Sequence, residues 1–241
     1  FEINKENLES KITSKTKFII INSPNNPTGK VLKENELNIL ADILRENQRI
    51  NIISDEIYEL IIKKGFRHIS FAAFANDLKD RIYTVNGFAK GWAMTGWRLG
   101  YLVGAENIIR ASSTLQSQST STVCSFVQRG ALAALEIKNE FFDEINQKYD
   151  QRRELLYQGL KKINGIYIDP PKGAFYAFPK LPNKDISSVE FCKNSLQDFG
   201  LVVVPGKAFG DDQCIRISCA SSQEKILDGL SRLEKAIKSY Y

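Results

Sequence analysis

The front half of the chain alternates short β-rich runs with helical patterns. Residues 18–21 form a continuous apolar run, the pattern of a strand buried in a parallel sheet. A cluster of Pro, Gly and Asn at 23–29 reads as a loop. Beyond it Leu37, Leu40, Ala41 and Leu44 fall at i, i+3, i+4 and i+7, which draws one apolar stripe along a helix. Residues 51–54, 82–85 and 99–103 read as three further strands. Strands separated by helical or long connections predict an α/β sheet built through crossovers.

After Ala105 the pattern turns helical, with helices expected at 106–118 and 123–138 and a long one at 139–163. In the long segment Phe142, Ile145, Tyr149, Leu156, Leu160 and Ile163 recur at three, four or seven residues. Short strands at 173–178, 201–204 and 213–218 then alternate with two helices. One carries Val189, Cys192, Leu196 and Phe199 on a single face, the other Ile226, Leu230, Leu233 and Ile237. The expected division is an α/β domain at 1–138 and, at 139–241, a linking helix with a smaller α+β domain.

Composition narrows the function classes. The 241 residues are 43% apolar and 25% charged, which excludes wholesale disorder and fibrous structure. No apolar run nears the roughly 18 residues of a membrane helix, so no membrane partner is expected. The net charge of +5 sits in doublets such as Lys63–Lys64, Arg152–Arg153 and Lys161–Lys162, not in a stripe interleaved with aromatics. No nucleic-acid partner is expected, and the balance suits an acidic or phosphorylated small ligand. Cys124, Cys192, Cys214 and Cys219 show no CxxC spacing, and the single histidine, His68, is far from all four in sequence. No metal site is expected, and scattered thiols point to the cytoplasm. The lone His68 also counts against a Ser-His-Asp triad.

Four segments carry candidate chemistry. In NGFAKGWAMTGWRLGY (86–101), Lys90 follows the end of a strand, where open α/β sheets bind ligands, and its amine suits Schiff-base chemistry. Arg98 offers a planar fork of donors suited to phosphate. The plainer reading of this pair alone is a solvated lysine and a surface arginine. In NSPNNPTG (22–29) a rigid turn presents Asn26 at another strand end, or is simply turn chemistry. In SDEIY (54–58) Asp55 ends a strand three residues before Tyr58, and could equally be a helix cap. In IRIS (215–218) Arg216 points opposite to Ile215 and Ile217, either toward a ligand or as an exposed strand face.

Together these segments resemble the class I/II aminotransferases, pyridoxal-phosphate enzymes of fold type I. NNPTG, DEIY, K-x3-MTGWRxGY and a late R-x-S stand in the family's order and approximate spacing. LQSQST (115–120), PKGAFY (171–176) and VVPGKAFG (203–210) add to the match, and LQSQST is most like the bacterial aspartate/prephenate aminotransferase subgroup. The resemblance implies part of a large pyridoxal-phosphate-binding domain, with a mostly parallel sheet, over 1–138. It implies a long linking helix and a small α+β C-terminal domain over 139–241. The implied cofactor is pyridoxal 5′-phosphate. Lys90 would hold it covalently and later move a proton between the substrate Cα and the cofactor C4′. Asp55 would keep the pyridine nitrogen protonated. Tyr58 and Asn26 would hydrogen-bond the ring oxygen O3′, and Arg98 would bind the phosphate. Arg216, with Asn26 beside it, would hold the substrate α-carboxylate.

The implied reaction is ping-pong transfer of an amino group from an aspartate- or glutamate-like L-amino acid to a 2-oxo acid, in a homodimer. A β-elimination lyase acting on sulfur amino acids and a cofactor-binding remnant without turnover are the alternatives. Two departures from the family pattern stand out: Gly87 and Ala89 occupy positions where many relatives have serine. Relatives also carry a long portion ahead of the position of Phe1. The chain is therefore expected to be a fragment with little activity alone, its strands an inner block with both sheet edges unpaired. His68 is expected to be structural, Cys214 and Cys219 to be small packing residues, and Trp92 and Trp97 to pack the lysine loop.

Overall fold

In a computed structural model, which describes residues 1–182 and 186–241, a short helix α1 (Lys5–Glu9) leads into the first strand of a four-stranded sheet. Strands β1 (Phe18–Asn22), β2 (Asn51–Asp55), β3 (Ile82–Gly87) and β4 (Gly100–Val103) lie side by side in chain order. The first three are parallel, with Asn22 opposite Asp55 and Asp55 opposite Val85. The last is antiparallel to β3, with Gly100 opposite Gly87. Among the described residues β1 and β4 are the sheet edges.

Helix α2 (Glu34–Glu46) connects β1 to β2, and its stripe of Leu37, Leu40, Ala41 and Leu44 packs with Ile21, Ile52 and Ile82. Phe71 of the short helix α3 (Phe71–Phe74) joins the same core. Glu36, only 2% exposed, fastens the start of α2 by accepting from the backbone N–H of Lys33 (3.1 Å) and of Ile3 (2.9 Å).

The expectation of a fully buried strand at 18–21 fails: Phe18 is 48% and Ile20 72% exposed. Successive side chains leave a strand on opposite faces, and this core covers only the face of Ile21, Ile52 and Ile82. Beyond β4, α4 (Glu106–Ser119) has no buried residue. Helix α5 (Ser125–Leu135), shorter than the apolar pattern predicts, buries Val127, Ala131 and Ala134. The long helix α6 (Asn139–Lys162) follows.

The described residues group into two compact units. One comprises Phe1–Pro24, Val31–Leu60 and Arg67–Phe142; the other comprises Asn25–Lys30, Ile61–Phe66 and Asp143–Tyr241. The core of the second unit joins Leu156 and Leu160 of α6 with Phe191 and Cys192 of α7 (Ser188–Phe199) and with Leu233, Ala236 and Ile237 of α8 (Gln223–Tyr240). Its small antiparallel sheet orders β5 (Tyr176–Ala177), β7 (Ile215–Ser218) and β6 (Val204–Pro205).

All three strands are shorter than expected, β5 and β6 for local reasons. Ala174 takes the left-handed conformation (φ 52°), which holds 173–175 out of the ladder. Residues 200 and 201 are spent terminating α7: Gly200 (φ 61°) and Leu201 return their N–H groups to Leu196 and Ser195. No helix among the described residues is long and apolar enough to cross a membrane.

Candidate active site

In the first unit the candidate residues follow the carboxyl ends of parallel strands, the side of an open α/β sheet on which ligands bind. Asp55 is the last residue of β2. Its carbonyl accepts from the backbone N–H of Ser23 (3.1 Å) and the Asn22 amide (3.0 Å), and its carboxylate accepts from the Ile57 N–H (3.2 Å). A turn follows, not a helix, so the helix-cap reading of Asp55 fails. The half-buried carboxylate has no cationic partner among the described residues. Burial pushes its pKa up, the Ile57 bond offsets part of that rise, and the charge of Glu56 adds to it.

Glu56 carries a signal the sequence reading passed over. It is 2% exposed and fully engaged. One oxygen accepts from Ser54 Oγ (2.8 Å), Ser70 Oγ (3.1 Å) and the Phe71 N–H (3.1 Å), and the other lies 3.0 Å from His68 Nε2. Burial alone would raise its pKa, but the bonds from His68, Ser54 and Phe71, with the His68 charge, prevail and hold it low. His68 is thus a structural partner. Glu56, Glu59 and His68 bring potential ligand atoms within 4.8 Å of one another. Every oxygen of Glu56 is already taken by a protein partner, so the cluster is a hydrogen-bonded brace for the turn that carries Asp55 and Tyr58.

Tyr58 is 4% exposed, and Lys90 Nζ lies 5.9 Å from its ring centroid. Lys90 sits in the turn after β3. That turn is tied by Thr95 Oγ1 donating to the Ala89 carbonyl (2.9 Å) and by Trp92 Nε1 donating to the Ala134 carbonyl (2.9 Å). Trp92 also tilts against Phe88 at 4.8 Å, as expected for a residue packing the loop. Arg98 is exposed and left-handed (φ 55°), with one guanidinium nitrogen donating to the Thr95 carbonyl (3.1 Å). A left-handed non-glycine residue costs conformational energy, a feature enriched at ligand-binding positions.

Gly87 has a reason that its motif did not reveal. A Cβ there would stand 2.7 Å from both Gly100 Cα and the Leu99 carbonyl oxygen. The close β3–β4 approach leaves no room for a serine there.

The second unit holds Asn26 and Arg216. The loop 25–30 closes on itself through Asn25 N–H to the Lys30 carbonyl (2.8 Å) and Gly29 N–H to the Asn25 carbonyl (2.9 Å). Gly29 is required by its φ of +68° and by the Pro171 Cβ, 2.6 Å from where its own Cβ would stand. The loop presents Asn26, whose side-chain oxygen accepts from Arg216 Nη1 at 2.9 Å across 190 residues of sequence. Arg216 stands between Ile215 and Ile217 on β7. Its guanidinium carbon lies 4.6 Å from the Tyr176 ring centroid and 5.0 Å from that of Phe209. No carboxylate among the described residues pairs with it. The exposed-strand alternative therefore fails for Arg216. Tyr176 and Phe209 were legible only as parts of PKGAFY and VVPGKAFG; nothing in their spacing marks them as partners of a cation.

The structure thus brings Asn26 to Arg216 and Lys90 to Tyr58, and turns Arg98 into its own loop. The family described as aminotransferase class I and II matches residues 1–233. A probable aspartate/prephenate aminotransferase of Aquifex aeolicus is 39% identical over 99% of this chain and 61% of its own length. The aspartate aminotransferase of Bacillus subtilis is 38% identical over 100% of this chain and 62% of its own. The crystal structure of the aspartate aminotransferase from Rhizobium meliloti superposes with a TM-score of 0.92 at 34% identity, covering 98% of this chain and 62% of that one. The chain spans about three fifths of the length of these relatives.

Proposed function

The chain belongs to the class I and II aminotransferases, and we propose that it serves amino-group transfer between an L-amino acid and a 2-oxo acid with pyridoxal 5′-phosphate as cofactor. The observation that carries this reading is Arg216: a cation flanked by two rings and steadied by Asn26, with no carboxylate among the described residues to neutralise it. Such a fork pairs in bidentate fashion with a carboxylate, the group that amino acids and oxo acids share. The relatives' names favour an aspartate-like substrate.

The residues also fit the cofactor. Asp55 is a carboxylate whose burial is only partly compensated, so a protonated ring nitrogen would relieve it as a counter-charge. Lys90 would hold the cofactor, Tyr58 would bond its ring oxygen, and Arg98 would meet its phosphate. When bound, the cofactor supplies an electron-withdrawing ring that accepts the electron pair left on the substrate Cα. Arg216 holds the substrate by its carboxylate and so restricts its orientation. The Lys90 amine takes the Cα proton and later returns it. Asn26 limits the swing of the Arg216 guanidinium, and the Glu56–His68 pair keeps Asp55 and Tyr58 on one rigid turn. A homodimer, and a reducing compartment consistent with four unpaired cysteines, complete the reading.

The test is borohydride reduction of the cofactor-loaded protein followed by peptide mapping. A pyridoxyl label on Lys90 is the expected result; a label on another lysine overturns the assignment. Pyruvate and ammonia released without a 2-oxo acid acceptor would replace transfer by β-elimination.

A further inference from the structure

Helix α6 carries Tyr149, Arg153, Leu156 and Leu160 at spacings of four, three and four, which puts an arginine on the buried stripe. Arg153 is 1% exposed. A buried guanidinium is costly unless fully paired, and an apolar side chain of similar volume often serves stability equally well. One of its bonds stays on the helix and the other leaves it. One nitrogen pairs with Asp150 Oδ1 (2.6 Å), the other donates to the Ala174 carbonyl, and Nε is left without a partner. Asp150 in turn accepts from the Lys64 N–H (2.9 Å).

Ala174 is the left-handed residue of the PKGAFY turn. Its N–H donates to the Ile61 carbonyl (2.9 Å), and the N–H groups of Lys172 and Gly173 both donate to the Gly29 carbonyl (2.7 and 2.9 Å). Gly29 closes the loop that carries Asn26. Two residues beyond Ala174, Tyr176 pairs with Ser218 across β7 and lays its ring beside Arg216. Two of the three groups that touch Arg216 therefore hang from the turn that Arg153 grips.

We propose that Arg153 is a positioning residue: acting through the Ala174 turn, it fixes Tyr176 and the Asn26 loop and so sets the orientation in which Arg216 meets a carboxylate. The proposal rests on Arg216 being the carboxylate site.

The experiment titrates the purified, cofactor-loaded protein with maleate, an unreactive dicarboxylate, and measures the affinity for pyridoxal phosphate in parallel. Arg153→Met is expected to weaken maleate binding about tenfold, the loss of roughly one charged hydrogen bond. Cofactor affinity, carried mainly by Asp55, Tyr58, Lys90 and Arg98, should change less than about twofold. Arg153→Lys keeps a charged donor and should recover most of the loss. Arg216→Met separates the two claims. Unchanged maleate binding in Arg216→Met removes the carboxylate site itself. Weakened binding there with unchanged binding in Arg153→Met overturns the positioning role alone, as does an equal loss of cofactor affinity in Arg153→Met. If Arg153→Met does not fold, Asp150→Asn takes its place: about threefold weaker maleate binding is expected from a lost ion pair, and no change counts against the proposal.

Discussion

Replacing Arg216 with lysine keeps the positive charge and removes the fork. The lysine gives up one of two parallel N–H···O bonds to the substrate carboxylate, a charged hydrogen bond worth about 1.5–3 kcal/mol. It also loses the bond to Asn26, now 2.9 Å, and part of the ring contact with Tyr176 and Phe209 at 4.6 and 5.0 Å. Cation–π contacts at partly exposed sites contribute about 0.5–1 kcal/mol, and a lysine retains some of that. The net loss is about 2–3 kcal/mol, or a fall of about 30- to 150-fold in kcat/KM. The carboxylate is common to both substrates, so KM should rise for the amino acid and for the 2-oxo acid alike. Each half-reaction is followed separately by the cofactor absorbance, with substrate concentration varied. A change of less than twofold in both KM values would refute the carboxylate role, because a fork that holds the substrate cannot be replaced by a point charge without loss.

Asp55→Asn gives a pH-dependent test in cofactor-free protein. The folded state raises the pKa of Asp55, so it binds this proton more tightly than the unfolded chain does, and stability falls as pH rises from the ordinary value of 3.8 through the raised one. Asparagine can keep the Ile57 bond and escapes that loss. The variant should melt at or above the parent temperature at pH 7, with the difference vanishing below the ordinary aspartate range; a clearly lower melt at pH 7 argues against a carboxylate whose burial is only partly compensated. Gly87→Ser should lose about 1–3 kcal/mol to backbone overlap with Gly100 and Leu99, lowering Tm by at least about 2 °C. An unchanged melt would mean that β3 and β4 part easily at that point.

Much of this molecule was legible in the linear pattern. The stripe Leu37, Leu40, Ala41, Leu44 announces α2, and the phase of Tyr149, Leu156 and Leu160 announces α6, because the rise and twist of a helix are local properties. The motif residues Lys90, Asp55 and Arg216 could be picked out for the same reason: each stands at a strand end or within a strand that the chain writes locally. Other facts needed the assembled backbone. Phe18 and Ile20 read as core and lie exposed, because burial depends on what covers each face of a sheet and not on the strand. Arg153 read as half of a basic doublet and is the pin of a turn. Asn26 and Arg216 meet because β7 pairs in one register with β5 and β6 while Gly29 tethers its loop to 172–173. Residues 190 apart have no local code for meeting; only the closing of the tertiary hydrogen bonds decides which amide reaches which guanidinium.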